Sequence, residues 1–189
     1  MCTQEGRLHL FVAVDRTSKF AFARLVEKAT RRAAADFLQA LIKAVPYRIH
    51  TVLTDNGTHF TSPGNGRSAV PEIRLALTTG QFFRAHAFEY ACAGHDLDHR
   101  LTKPNHPWTN GQVERMNRTL KEATVRTYHY LSHAHLQEHL AAFLDAYNFA
   151  KRLKSLNGLT VHQFICSCWQ KEPLRFNSNP HHFSPGLNT

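Results

Sequence analysis

The chain has 189 residues, 42% of them hydrophobic, and a formal net charge of +9 from 23 Lys+Arg against 14 Asp+Glu. That length suits one domain with a sizeable core, and the apolar content excludes disorder as the default reading. No apolar run reaches the roughly 18 residues of a membrane-spanning helix, and the cation excess suits a polyanionic partner, nucleic acid first, with a merely basic protein as an equal alternative on charge alone.

Met1 to Gly6 is polar and does not read as a signal peptide. Leu8 to Val14 (LHLFVAV) is a nearly continuous apolar run ending at Asp15, which predicts a buried strand. Arg16-Thr17-Ser18 predicts a turn, after which Lys19 to Val26 pairs back as a hairpin. Thr30 caps a helix to Ala44 or Val45, with Ala33, Ala34, Phe37, Leu38, Leu41 and Ile42 at helical spacing, and Pro46 stops it. His50 to Thr54 is a short strand ending at the turn signal Asp55-Asn56-Gly57.

Ser62 to Gly80 gathers Pro63, Gly64, Gly66, Pro71 and Gly80 and predicts an exposed insertion. Phe88 to Ala93 predicts a helix ended by Gly94, Leu97 to Leu101 a short strand, and Lys103 to Trp108 a proline-bearing loop. Thr109 and Gln112 fit a capping box for a helix to about Arg126. Ser132 caps a longer helix with Leu136, Leu140, Phe143, Leu144 and Tyr147 on one face, ended by Asn157-Gly158. Thr160 opens a last short helix through Trp169, and the polar tail after Pro173 is expected to wrap the surface or to be mobile. This order implies an α/β fold of sheet and helices.

Cys2, Cys92, Cys166 and Cys168 form no CxxC pair and read as reduced thiols of a cytosolic protein. His133, His135 and His139 have the wrong mix of spacings for one zinc-ligand face.

Two carboxylates stand out by position. Asp55 follows a strand, at the end where open α/β sheets build their sites. Glu114 lies in the first turns of a helix, with Val113, Met116, Leu120 and Ala123 as the expected buried stripe. Glu114, Asn117, Arg118 and Lys121 fall on an adjoining face. Carboxylates from a strand end and a helix start can converge on magnesium or manganese, which prefer oxygen donors, and nearby cations can hold DNA phosphates. The bland alternatives are an Asp that forms a turn and a Glu that favours a helix dipole.

Four segments carry a resemblance. HTVLTDNGTHF (50–60) resembles the second catalytic segment of retroviral-type integrases and DDE-type insertion-sequence transposases. HRLTKPNHPWTNGQVERMNRTLKEATV (99–125) resembles the third, whose helix carries the catalytic Glu. LFVAVDRTSKFAFARL (10–25) resembles the early hairpin of that core, and NFAKRLKSLNGLTVHQFI (148–165) the end of those transposases. The resemblance implies a ribonuclease H-like mixed sheet flanked by helices, with residues 1–172 as an integrase core and 173–189 as a tail. It implies DNA transposition by phosphodiester cleavage and strand transfer, with Asp55 and Glu114 as second and third members of a triad holding Mg2+ or Mn2+. The implied partners are DNA, as transposon ends and target, and further copies of the chain. Neither a membrane nor a small-molecule cofactor is expected, and the expected place is the bacterial cytoplasm, at the nucleoid.

Three departures qualify this. The family's first catalytic Asp precedes the hairpin, whereas upstream of Leu8 the only acid is Glu5. An N-terminally truncated core is therefore expected, with Asp15 as a possible substitute ligand. The Asp55–Glu114 spacing is long for the family, as an insertion near 62–80 would explain. The N-terminal DNA-binding helices of full transposases have no counterpart. A catalytically inactive DNA-binding or subunit-interaction remnant is thus the alternative, while the DNG and NGQVERMN segments argue against a nuclease of RNA–DNA hybrids. Lys103, Asn110, Gln112, Asn117, Arg118 and Lys121 are the expected DNA contacts, His106 flanks them, and Trp108 is expected to pack rather than stack on a base. Asp55 and Glu114 are expected to approach to about 4–8 Å, the reach of a shared ion pair.

Overall fold

The computed structural model describes residues 1–62, 67–102 and 110–182. The chain forms two compact units, one of Met1–Glu27, Lys43–Arg48 and Gln112–Thr189, the other of Lys28–Ile42 and Ile49–Gly111.

The first unit opens with a ribbon of β1 (Cys2–Thr3) and β2 (Gly6–Arg7), followed by β3 (His9–Val14) and β4 (Ala21–Val26). β3 and β4 pair antiparallel from His9↔Val26 to Val14↔Ala21, the hairpin read from the apolar run. Asp15 builds its turn. Its Oδ1 accepts from the Thr17 amide at 2.9 Å and its Oδ2 from the Ser18 hydroxyl at 2.6 Å. Leu10, Val12, Val14, Ala21, Ala23 and Leu25 alternate onto one face of the hairpin. That face packs on Met116 and Leu120 of α4 (Gly111–Ala123) and on Leu140 and Leu144 of α5 (His133–Asp145). Ser132 caps α5 as expected, its side chain accepting from the His135 amide at 3.2 Å.

The helix expected to reach Asn157 ends sooner. After α5 the backbone takes one π turn, Ala146–Ala150, and becomes extended at Lys151. The π turn seats Asn148, 4% exposed, against β4. Its amide donates to the Ala21 carbonyl at 2.9 Å and accepts from the Ala21 amide at 3.0 Å. These bonds satisfy backbone groups that the β3 pairing leaves over. Asn157 and Gly158 then turn the chain with φ of 55° and 81°. α6 (Val161–Lys171) starts from a full capping box of Thr160 and Gln163. Beyond it, Phe176 bridges to Tyr47 and Pro180 is buried, so residues through His182 lie along this unit.

In the second unit α1 (Arg31–Ala44) begins where Thr30 accepts from the Ala33 amide at 3.0 Å, and buries Ala34, Phe37 and Leu38. β5 (Thr51–Thr54) pairs parallel with β6 (Asp98–Leu101), Thr51↔Asp98 through Thr54↔Leu101. Among the described residues the strands thus form three two-stranded sheets, both antiparallel and parallel pairings being present.

One expectation is corrected here. The stretch read as an exposed insertion contains α2 (Val70–Thr79), with Val70, Ile73 and Ala76 buried. Pro71 sits in its first turn, where the missing N–H costs nothing, and Gly80 ends it at φ 68°. Both residues count as loop signals in sequence, yet here one starts a helix and the other stops it. α2 packs on α3 (Ala87–Gly94), whose Phe88, Ala91 and Cys92 are buried. The Thr109 cap and the Lys103–Trp108 loop lie outside the described residues.

Candidate functional site

Asp55 is exposed at the C-terminal end of β5, beside the equivalent end of β6. Two bonds extend the pairing past the strands. The Thr102 amide donates to the Thr54 carbonyl at 2.9 Å, and the Asn56 amide side chain donates to the Thr102 carbonyl at 3.2 Å. The Asp55 carboxylate is steadied by its own turn, Oδ1 accepting from the Gly57 amide at 2.9 Å. Gly57 leaves the ends of the Asp55 and His59 side chains undisturbed. A Cβ on it would sit 2.8 Å from Asp55 Oδ1 and 2.8 Å from His59 Cε1. A side chain there would have to push the carboxylate and the imidazole aside.

A buried polar chain lies beneath this turn. His99, on β6, places Nε2 2.8 Å from the Thr54 hydroxyl and Nδ1 3.1 Å from the Ser68 hydroxyl. The Thr54 hydroxyl donates to the Asp55 carbonyl at 3.0 Å. Glu89, on α3 and 2% exposed, lies 3.6 Å from His99 Nδ1. It accepts from the Ala69 amide at 3.0 Å and the Thr61 hydroxyl at 3.3 Å. Burial pushes the Glu89 carboxyl up, but the contacts from His99, the Ala69 amide and Ser68 outweigh it and hold it below the ordinary carboxylate range.

Glu114 is exposed in the first turn of α4 and belongs to the first unit. It lines an open groove of about 440 Å³ together with Asn117, Arg118 and Lys121 of α4, Arg7 of β2, and Arg126. Of the expected stripe of α4, Met116 and Leu120 are buried, while Val113 and Ala123 are half-buried. Arg126 pairs with Glu122 at 3.3 Å. No carboxylate of the described residues lies within ion-pair distance of Arg7, Arg118 or Lys121. The groove therefore carries one carboxylate among cations available to an anion.

The expected site residues thus fall into distinct places. Asp55 belongs to the second unit and Glu114 to the first. Asn117, Arg118 and Lys121 share the groove with Glu114. Gln112 is exposed in the first turn of α4 and Asn110 is half-buried just before it, while Lys103, His106 and Trp108 lie outside the described residues. Asp15 is engaged in its own turn, as the bland reading of a strand-end Asp would have it. Among the described residues no three His, Cys, Asp or Glu side chains gather as a metal-ligand set. The four cysteines are free thiols. Sequence reasoning missed Arg7 and Arg126, which reach the groove from outside α4, and the Thr54–His99–Glu89 chain. The one signal for that chain is polar residues standing inside apolar runs.

Comparison with known proteins gives the family and the fold. Residues 1–107 match the family described as integrase core domain, and residues 95–160 match a second family of the same description. The catalytic core domain of BIV integrase superposes with a TM-score of 0.61 at 18% identity, covering 92% of this chain and 93% of that one. A chain of the simian T-cell lymphotropic virus intasome superposes at 0.66 with 22% identity, covering 87% of this chain and 50% of that one. At these identities the likeness shows the fold, the ribonuclease H-like α/β core. An uncharacterized protein of Caenorhabditis elegans is 25% identical over 118 residues, 62% of this chain and 7% of its own length. The chain thus spans a small part of that relative.

Proposed function

This chain belongs to the integrase core domain family, whose match covers residues 1–107, and from that premise we propose that it acts on DNA by metal-dependent phosphodiester cleavage and strand transfer, as in transposition. The observation that carries this reading is the groove of the first unit, where Glu114 stands among Arg7, Arg118, Lys121 and Arg126. A lone carboxylate among cations suits a surface that holds a polyanion and also has a use for one oxygen ligand. Lys121 and Arg118, exposed and one helix turn apart from each other or from Glu114, are spaced to meet successive phosphate oxygens.

The donor chemistry fits a divalent ion. Asp55 and Glu114 are exposed carboxylates, and magnesium is commonly held by one or two carboxylates with retained waters and substrate phosphates. Asp55 and Glu114 would hold the ion, which when bound offsets charge on the reacting phosphate oxygens. Asp55 is offered with its Oδ1 held by the Gly57 amide, and Glu114 stands exposed in the first turn of α4. Arg118 and Lys121 orient the backbone of the DNA. Further copies of the chain and a place at the bacterial nucleoid belong to the same proposal.

A second reading is favoured by one observation. Both Asp15 oxygens serve the hairpin turn, which leaves two candidate carboxylates where the family resemblance implies three. On that reading the chain binds DNA or sister subunits without cutting.

Anisotropy titration of labelled duplex DNA at low and moderate salt tests both readings. Affinity is expected to fall steeply with salt, and Arg118→Ala is expected to reduce the log–log salt slope by about 1. Mg2+-dependent cleavage of transposon-end DNA that Asp55→Asn and Glu114→Gln abolish would support the enzyme. Binding without cleavage would move the assignment to the second reading, and absence of binding at low salt would remove DNA as the partner.

A further inference from the structure

A buried carboxylate is costly unless its surroundings use it. Glu89 lies on α3 between Phe88 and the buried Ala91 and Cys92, and it is 2% exposed. What it touches is the frame of one loop. The segment after β5 is pinned at three points, and each pin traces to α3, its cap or β6. His86, the N-cap of α3, holds the Thr58 carbonyl through Nε2 at 3.1 Å. Glu89 holds the Thr61 hydroxyl at 3.3 Å. His99 holds the Thr54 hydroxyl at 2.8 Å, and that hydroxyl holds the Asp55 carbonyl at 3.0 Å.

The proton count gives this last chain a direction. The Thr54 hydroxyl has one hydrogen. When it donates to the Asp55 carbonyl, it must accept from His99, so Nε2 carries a proton. Nδ1 faces the Ser68 hydroxyl at 3.1 Å, which holds the other side of the ring, with Glu89 at 3.6 Å. A ring held on both nitrogens holds Thr54, and Thr54 holds the peptide plane that follows Asp55. The Gly57 amide fixes the Asp55 side chain, so backbone and side chain of that residue are set independently.

We infer that Thr54, backed by the buried His99–Glu89 pair, is a positioning residue that fixes Asp55 for a divalent cation. The inference rests on the proposed role of Asp55. Its material support is the path from α3 to the Asp55 carbonyl, a 3.6 Å contact of Glu89 with His99 followed by the His99–Thr54 and Thr54–Asp55 hydrogen bonds, all within the second unit. Loss of such a supporting group typically weakens metal binding by about 10–100-fold.

The test is Mn2+ binding to the full chain, followed by the paramagnetic resonance signal of free ion, for wild type, Thr54→Val, Thr54→Ser and Asp55→Asn. Far-UV circular dichroism runs alongside. Thr54→Val keeps the shape and loses the hydroxyl, and Thr54→Ser keeps the hydroxyl. The inference expects Asp55→Asn to lose binding, Thr54→Val to weaken it by about tenfold or more, and Thr54→Ser to restore it to near wild type. Wild-type binding by a folded Thr54→Val, with binding lost in Asp55→Asn, overturns the inference and leaves the proposed function standing. Wild-type binding by Asp55→Asn overturns the role of Asp55 itself, and the inference with it. Should Thr54→Val fail to fold, Thr54→Ala replaces it with the same two outcomes, rescue by serine again separating the hydroxyl from volume.

Discussion

At the scale of single residues, position within a turn decides how many oxygens of a carboxylate the turn engages. Asp15 and Asp55 look alike in sequence, each ending a strand before a turn. Asp15 spends Oδ1 on the Thr17 amide and Oδ2 on Ser18, whereas Asp55 spends Oδ1 on Gly57. Gly57→Ala is therefore expected to leave the fold intact, because the displaced atoms are side-chain ends, and to weaken Mn2+ binding as Asp55 is pushed aside. A melting temperature close to wild type with lost binding supports this, and unchanged binding would contradict it. The thiols make a second residue-scale case. Burial first, and Glu89 nearby second, push the Cys92 thiol up to about 12. Cys92 is thus expected to resist iodoacetamide in the native state while the exposed Cys2 reacts, which mass spectrometry of labelled peptides reads directly.

At the scale of elements, what was legible followed from strong local signals. The hairpin was legible because apolar alternation and a turn cluster agree, and α1 because Thr30 and Pro46 bracket a helical period. α2 was not legible, because Pro71 and Gly80 have two meanings and only the burial of Val70, Ile73 and Ala76 chooses between them. The end of α5 was not legible because its cause is distant in sequence: Asn148 answers the backbone of Ala21. Asn148→Leu is expected to cost roughly 2–4 kcal/mol, since each stranded backbone group costs about 1–3 kcal/mol. Urea unfolding would measure it, and a loss under 1 kcal/mol would deny the bond that role. Leu120→Ala on α4 removes a fully buried side chain and should cost about 2–5 kcal/mol by the same assay. Glu89 links α3 to pH. Its carboxyl lies below the ordinary value of 4.5 in the folded chain, so its contribution is present above that value and is lost as pH falls through the lower folded one. Stability measured from pH 6 downward should drop along an acid limb that Glu89→Gln flattens, while the variant is less stable than wild type near neutrality.

At the scale of the whole molecule, charge and motif told different parts of the story. The net charge of +9 pointed to a polyanion without saying where it would lie. The structure puts Arg7 and Arg126 in the lining of the groove that Glu114 lines, although both lie outside α4. The two segments carrying Asp55 and Glu114 were legible because each is a short motif complete in itself. Their supports were not, since Thr54, Glu89 and His99 come together only through the parallel pairing of β5 with β6 and the packing of α3.

The central proposal is that the Asp55 and Glu114 carboxylates both serve one divalent ion. A double-mutant cycle on Mn2+ affinity, using Asp55→Asn, Glu114→Gln and the pair, addresses it most directly. A shared site predicts that each single substitution weakens binding by about tenfold or more, about 1.4 kcal/mol, and that the double is little worse than the worse single. Losses that simply add, or Mn2+ affinity that neither substitution changes, would contradict it.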